Sequence, residues 1–478
     1  MNRIFLLLIL FAFNNKAQEK LNLNSCLNLL FEQSSQYKML KLQNERDVLN
    51  YQISTLFKNP KMDLSLGIPL KFNQGVEDVF NSSLNQYTLI LNSASNFTPV
   101  ASLISNFNLP TGGTIKMNLA SLYNTYNSEY SNDRERFEYS FYGGISQPIF
   151  RINHYRITEE TSEKEFQKAK LGFFKNKNEL ILSAIEMFYK TLLKQKELDL
   201  TKHKIGKELE ELKEQKLKLQ LGKTSEIQFI NKELAVKTSE LNLSRLSSEL
   251  NIEKSKLFSF LGINGDLSLN LEEEIELIPF NFPIEDALDI VVKNNPDYKI
   301  LTLNLSIGQL DLERKTTTNI ETDLTASVFY SNQLYHQPIE RKIKNYDYDF
   351  GVIVKIPILD GGKWDAEADL AAIKLSEIQN DLSEKEKELK LLVTDYYNLL
   401  QFLENQHLLH KEKLEIFRNS YEIYKREFNL GKLSFFELQE HENEIFNAEK
   451  SVIETVINYN KSVLQLKTIL GMEIFNEK

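Results

Sequence analysis

The sequence has a single cysteine, Cys26, so it can form neither an intrachain disulfide nor a cysteine-based metal cluster. Proline and glycine are scarce, 10 and 17 in 478 residues, and long stretches contain neither, which leaves room for long helices. Beyond the N-terminus no apolar run approaches the roughly 20 residues that a membrane-crossing helix needs. With 26% charged residues and a mean hydropathy of −0.35, a bundle of transmembrane helices is excluded. A membrane β-barrel is not, because its strands alternate apolar and polar residues and leave little trace in hydropathy. There is no basic tract, and 67 acidic residues outnumber 57 basic ones, so nucleic acid is not an expected partner. Six Met and six His are few for a protein dedicated to soft metals.

The N-terminus reads as a signal peptide over 1–17. Arg3 supplies a positive start, Ile4 to Phe13 is unbroken apolar sequence too short to span, and cleavage is expected after Ala17. Removing it leaves an acidic chain of formal charge −12. Cys26 lies too far beyond Phe13 to be a lipidation site. It sits in the helical pattern Leu23, Leu27, Leu30, which favours a small buried side chain.

What the sequence does contain, it contains twice. Pro148-Ile149 recurs as Pro357-Ile358, Leu221-Gly222-Lys223-Thr224-Ser225 as Leu430-Gly431-Lys432-Leu433-Ser434, and Leu261-Gly262 as Leu470-Gly471, each after 209 residues. The segment from Leu27 to Leu42 matches Leu288 to Leu303 at an offset of 261, so the first copy carries about 52 additional residues before Pro148. This divides the chain into a first repeat, 18–262, a linker, 263–282, a second repeat, 283–471, and a tail, 472–478. Gly265, Pro279 and Pro283 break the helical pattern in the linker.

Each repeat has one order: helix, strands, very long helix, tight turn, long helix. Opening helices are expected over about 22–58 and 284–320, and strands within 62–150 and 323–358. Phe137, Tyr139, Phe141 and Ile145 alternate with polar or small residues. Leu324, Ala326, Val328 and Tyr330 do the same, and so do Tyr346, Tyr348, Phe350, Val352, Val354 and Ile356. The long helices, about 151–220 and 359–429, would each measure roughly 105 Å at 1.5 Å per residue. The return helices, 225–261 and 434–470, follow a glycine that can end the outgoing helix and a serine, Ser225 or Ser434, that can cap the next. Ile445, Ala448, Val452, Tyr459, Val463, Leu466 and Leu470 form a seam at coiled-coil spacing.

A signal peptide, a few amphipathic strands and long coiled-coil helices suggest a protein anchored by a barrel and reaching across the periplasm. Two strands per repeat give four per chain. Four cannot close a barrel, and open edges are prohibited in lipid, so partner chains must complete the wall. Two chains would give a barrel filled by side chains; three would leave a lumen.

In the order and spacing of these landmarks, over about 22–471, the sequence resembles the TolC-like outer-membrane efflux proteins. The resemblance implies a mainly α fold with membrane β, an internal duplication, and a homotrimer in which four strands per chain, or more, form a 12-stranded barrel in outer-membrane lipid. It implies a periplasmic α-barrel that docks on a periplasmic adaptor (membrane-fusion) protein and an inner-membrane transporter, the chain being the passive exit duct of a tripartite efflux or secretion system. The departure is segment 71–136, longer than one strand and loop require. Asn108 to Gly113 looks like a turn between two further strands, and their number should be even, because both flanking helices must end in the periplasm.

The tips Leu221, Gly222, Lys223 and Ser225, and Leu430, Gly431, Lys432 and Ser434, are the expected adaptor-docking surface, because they repeat and lie between long helices. The resemblance further implies acidic residues ringing a closed periplasmic gate, here Glu437 and Glu440, which share a helical face. The first repeat has Gln228 and Asn231 at these offsets, so a trimer would place six carboxylates around one opening, attracting cations and resisting full closure. Leu433 replaces the family's arginine, so no salt-bridged latch is expected there.

No enzyme is expected. Gly222-Lys223-Thr224 lacks the glycine of a phosphate loop, where Leu217 stands. His407 and His410 share a helix face without a third ligand, so neither a metal nor another cofactor is expected. The charge run Glu384 to Glu388 reads as a solvated face. The rival of another class is a soluble periplasmic coiled-coil scaffold or adaptor, which would not need its strands in a membrane.

Overall fold

The computed structural model describes residues 21–128, 131–150, 152–263, 269–272, 276–317, 320–336 and 340–475. The signal peptide expected at 1–17 lies outside the described residues, as do parts of the linker and tail. The chain divides into two compact units, one made of Met1–Glu45, Ala169–Ile300 and Leu382–Lys478, the other of Arg46–Lys168 and Leu301–Asp381.

The second of these units is built on an antiparallel sheet. Its strands are β1 (Lys61–Gly67), β2 (Leu70–Asn81), β3 (Gln86–Phe97), β4 (Val100–Asn108), β5 (Thr114–Ser128), β6 (Ser131–Pro148), β7 (Glu321–Tyr335) and β8 (Arg341–Lys355). They are paired in the order β1-β4-β5-β6-β7-β8, with β2 on β3 and the end of β3 on β5. Pro69 and Pro99 have no N–H to give a ladder, and at these residues two long strands break into β1 with β2 and β3 with β4. Across the breaks, Thr98 N–H donates to the Pro69 carbonyl at 3.1 Å and Tyr123 N–H to that of Pro99 at 3.0 Å. The eight strands therefore form six rows. The first repeat supplies four rows: the two strands expected of each repeat and the further pair expected within its extra segment, which completes a full hairpin over 61–108. The expected turn at Asn108 to Gly113 is present: Leu109 N–H donates to Gly113 O at 2.8 Å, and Gly112 takes the left-handed conformation at φ +86°.

Among the helices, α1 (Leu23–Gln33) and α2 (Ser35–Thr55) precede the first strands, and α5 (Ile284–Asn294) and α6 (Pro296–Thr316) precede β7. Each opening helix, expected to be continuous, is broken in two. Pro296 disfavours helical backbone at Asn295, which sits at ψ 127°; its side-chain oxygen accepts from Asp297 and Tyr298 N–H at 2.9 and 3.1 Å, starting α6 afresh. Ser34 takes the same conformation without a proline, and its hydroxyl donates to Phe260 O at 3.0 Å. Asn295 makes the equivalent contact, donating to Ile469 O at 2.9 Å. The breaks dock each opening helix on the end of a return helix, where Gly262 and Gly471 sit at φ +76° and +70° against the carbonyls of Gln33 and Asn294.

The long helices are α3 (His154–Gln220) and α7 (Lys363–Asn429), each 67 residues; the return helices are α4 (Glu226–Leu261) and α8 (Phe435–Ile469). Two cores form. In one, Cys26, Leu27 and Leu30 of α1 pack with Ile181, Phe188 and Leu257 of α3 and α4. In the other, Ala287 and Val291 of α5 pack with Val393, Val463 and Leu466 of α7 and α8. Ala448, Tyr459, Val463, Leu466 and Leu470 of the seam are buried. Between the repeats, two buried amides strap the chain down. Gln195 makes both backbone bonds of Leu271 at 2.8 and 2.9 Å, and Asn460 bonds Ile278 N–H and Glu276 O. No described helix is long and apolar enough to cross a membrane.

Candidate functional site

The two tips are the same turn built twice. Gly222 and Gly431, at φ +67° and +74°, end α3 and α7. The next N–H reaches back five residues, Lys223 to Lys218 O at 2.8 Å and Lys432 to Glu427 O at 3.0 Å, which closes one of the last open carbonyls of each helix. Backbone atoms of both lysines are thus structural while their side chains are exposed beside Leu221 and Leu430.

Ser225 and Ser434 then cap the return helices, each in a reciprocal box. Glu437 N–H donates to Ser434 Oγ at 3.3 Å, and Ser434 N–H donates to the Glu437 carboxylate at 2.7 Å. In the first tip Gln228 fills that role at 3.3 Å. Glu437 is therefore tied to its own turn, and these hydrogen bonds hold its carboxyl below the usual range. Glu440 is exposed about one turn further along. The box was available in the sequence as Ser-x-x-Gln and Ser-x-x-Glu, a signal that the gate reading passed over.

Behind the tips lies a buried charged cluster that the sequence reading missed. Glu208 of α3 is 1% exposed, neither carboxylate oxygen is hydrogen-bonded, and Lys204 Nζ stands 3.9 Å away. Lys232 of α4 is buried and paired with Glu211 of α3. The Tyr421 hydroxyl of α7 donates to Glu442 of α8 at 2.6 Å. Burial, then the nearby Glu211 and Glu208 charges, push the Glu442 carboxyl up. Burial and the Glu442 carboxylate push the Tyr421 phenol well above its ordinary range. Lys204, Tyr421 and Glu442 also line a cleft of about 450 Å³ with His203, Lys207 and Arg418. The groups come from four helices, so no local spacing announces them. They are acids and bases without a nucleophile poised between them, and no described group of three His, Cys, Asp or Glu could hold a metal. His407 is buried, which lowers its pKa, with Nδ1 lacking a hydrogen-bond partner; His410 is half-buried on the same helix.

The sheet has two contrasting faces. The register strings Leu64, Leu103, Leu119, Phe141, Tyr330 and Tyr346 along one continuous cross-strand row. One residue over, on the opposite face, the row reads Ser65, Ser102, Ala120, Ser140, Ser331 and Asn345. The three alternations read from the sequence all place their larger residues on the first face. The rings of Tyr330 and Tyr346 lie there 5.0 Å apart and tilted at 44°, while Phe350 is 83% and Leu64 68% exposed. So wide an apolar surface needs a cover. β8 forms one edge, with a partner on one side only.

Residues 321–472 match the family model described as outer membrane efflux protein. Among solved structures, CusC, a protein that undergoes transmembrane channel formation, is 12% identical at a TM-score of 0.66, over 94% of this chain and 92% of that one. VceC from Vibrio cholerae, an outer membrane protein, is 10% identical at 0.66, over 95% and 97%. The Campylobacter jejuni CmeC outer membrane channel is 14% identical at 0.63, over 94% and 85%. The fold is that of the outer membrane efflux proteins. The resemblance drawn from the repeated landmarks therefore holds for the fold, long helices and β-sheet together, and the family model matches the second repeat. Among curated proteins none matches this sequence. Within that fold, the tips are the turns of the two long hairpins.

Proposed function

We propose that the chain is an outer-membrane channel subunit, acting as a homotrimer that forms the passive exit duct of a tripartite efflux or secretion system. The observation that carries this reading is the sheet: a cross-strand row that is apolar across all six rows on one face, the neighbouring row on the other face small and polar, and edge strands paired on one side only. An outward apolar face meets lipid, an inward polar face meets a water-filled lumen, and only partner chains can satisfy edges placed in hydrocarbon. A soluble scaffold has no use for that face. The helical repeats extend into the periplasm, and the cargo is moved by a partner transporter, so the chain needs no active site of its own.

The tips Leu221 to Ser225 and Leu430 to Ser434 dock a periplasmic adaptor through exposed Lys223 and Lys432. Glu437 and Glu440 form the carboxylate gate, with Glu440 the freer side chain to project into the opening and Glu437 contributing charge from the capping box. Replacing both lysines with Glu should leave folding and trimerisation intact, since only their backbones close the turns, and should weaken export; unchanged export counts against docking there. For the duct itself, native mass in detergent should give a heat-resistant trimer, and a stable folded monomer in membranes would sink the architecture.

A further inference from the structure

We propose that the hairpin formed by 61–81 and 86–108 is a wall element of the barrel, and that β1 is the seam on which β8 of the next copy pairs. The inference rests on the trimeric-channel reading and deepens it. Four rows per chain would close a barrel of twelve strands in a trimer; six rows close one of eighteen.

Three observations carry it. First, the hairpin is not laid over the sheet but continues its ladder: β4 pairs with β5 from Val100 on Leu122 to Asn108 on Thr114, and β1 pairs with β4 along its whole length. Second, the hairpin keeps the two-faced pattern of the other rows. Leu64 and Leu103 extend the apolar row, and Ser65 and Ser102 the polar one. A flap outside the barrel would have no reason to align its apolar side with the wall. Third, the free edges suit each other. β1 leaves a helix and β8 leads into one, so the two run in opposite directions around a closed wall and can pair antiparallel, with Met62, Leu64 and Leu66 joining Tyr348, Phe350 and Val352 on the outward face. With β4 on it, β5 has no free side to offer a neighbour's β8. The occupant of the β8 edge is therefore β1 of a second copy. Barrel diameter grows about linearly with strand number, so the lumen would be about half as wide again as that of twelve strands.

Cysteine cross-linking in native membranes separates the two closures, because outward residues on neighbouring strands come within disulfide reach. The full chain would carry Leu64→Cys combined in turn with Tyr348→Cys, Phe350→Cys or Val352→Cys; a second set would combine Leu119→Cys of β5 with the same three. Buried Cys26 is left as it is. Each variant is first checked under reducing conditions for trimer mass, and oxidation and a short bis-maleimide are then applied. The expected result is covalent trimer from at least one Leu64 pair, enriched more than tenfold over every Leu119 pair. Covalent trimer from the Leu119 set, or none from the Leu64 set in an intact trimer, overturns the seam and places the hairpin outside the wall. Absence of a trimer in the unsubstituted protein overturns the channel reading instead, and the seam with it.

Discussion

At the scale of single residues, the capping boxes of the two tips differ by one titratable group. Glu437 is held below the usual carboxylate range by the N–H and hydroxyl of Ser434, whereas Gln228 caps the other tip without a charge. A depressed folded pKa contributes stability above the unfolded value that is lost as pH falls through the folded one. Acidification should therefore loosen the start of α8 and spare the start of α4. Hydrogen exchange over 435–440 and 226–231, corrected for intrinsic rates, reads this directly; equal responses would refute it. Loss of the cap outright, Ser434→Ala, should cost about 1 kcal/mol locally. Glu442 has the opposite sign. Its raised carboxyl means that the folded state binds the proton more tightly, so its effect on stability worsens as pH rises through the window between the ordinary and the raised value. Glu442→Gln should raise the melting temperature at neutral pH and have no effect below that window; a pH-independent change would show that charge burial is not the cause.

Among the elements, legibility followed locality. Helix ends were readable because Gly222, Gly431, Ser225 and Ser434 act on their own turns. The seam of α8 was readable because burial follows the helical period. The break at Asn295 was visible in Pro296, but that at Ser34 was not, since its cause is a carbonyl 226 residues away on α4. The hairpin 61–108 was legible only as an excess of length and a turn at Asn108 to Gly113. Pro69 and Pro99 interrupt its alternation, and pairing with β5 is a property of the sheet, not of the segment. The charged cluster around Glu208 was invisible for the same reason. The sheet's two faces yield a sharper expectation. Phe350→Arg, outward, should destabilise the membrane-embedded protein by about 2–4 kcal/mol if it lies near the bilayer midplane, while Asp349→Lys, one residue along and inward, should be tolerated. Unfolding in lipid by denaturant measures both; equal costs would mean that the sheet does not face lipid on one side and water on the other.

The whole molecule combines three things: a two-faced sheet, edge strands paired on one side only, and two copies of a long hairpin ending in matched turns. Each has a local cause, and together they support the proposed duct. The direct test of that claim is conduction. Trimer purified in detergent and placed in planar lipid bilayers should give stable ionic currents that favour cations, and Glu437→Gln with Glu440→Gln should reduce that preference without abolishing conduction. A correctly folded protein that never conducts, whatever its charge at the tips, would contradict the channel account.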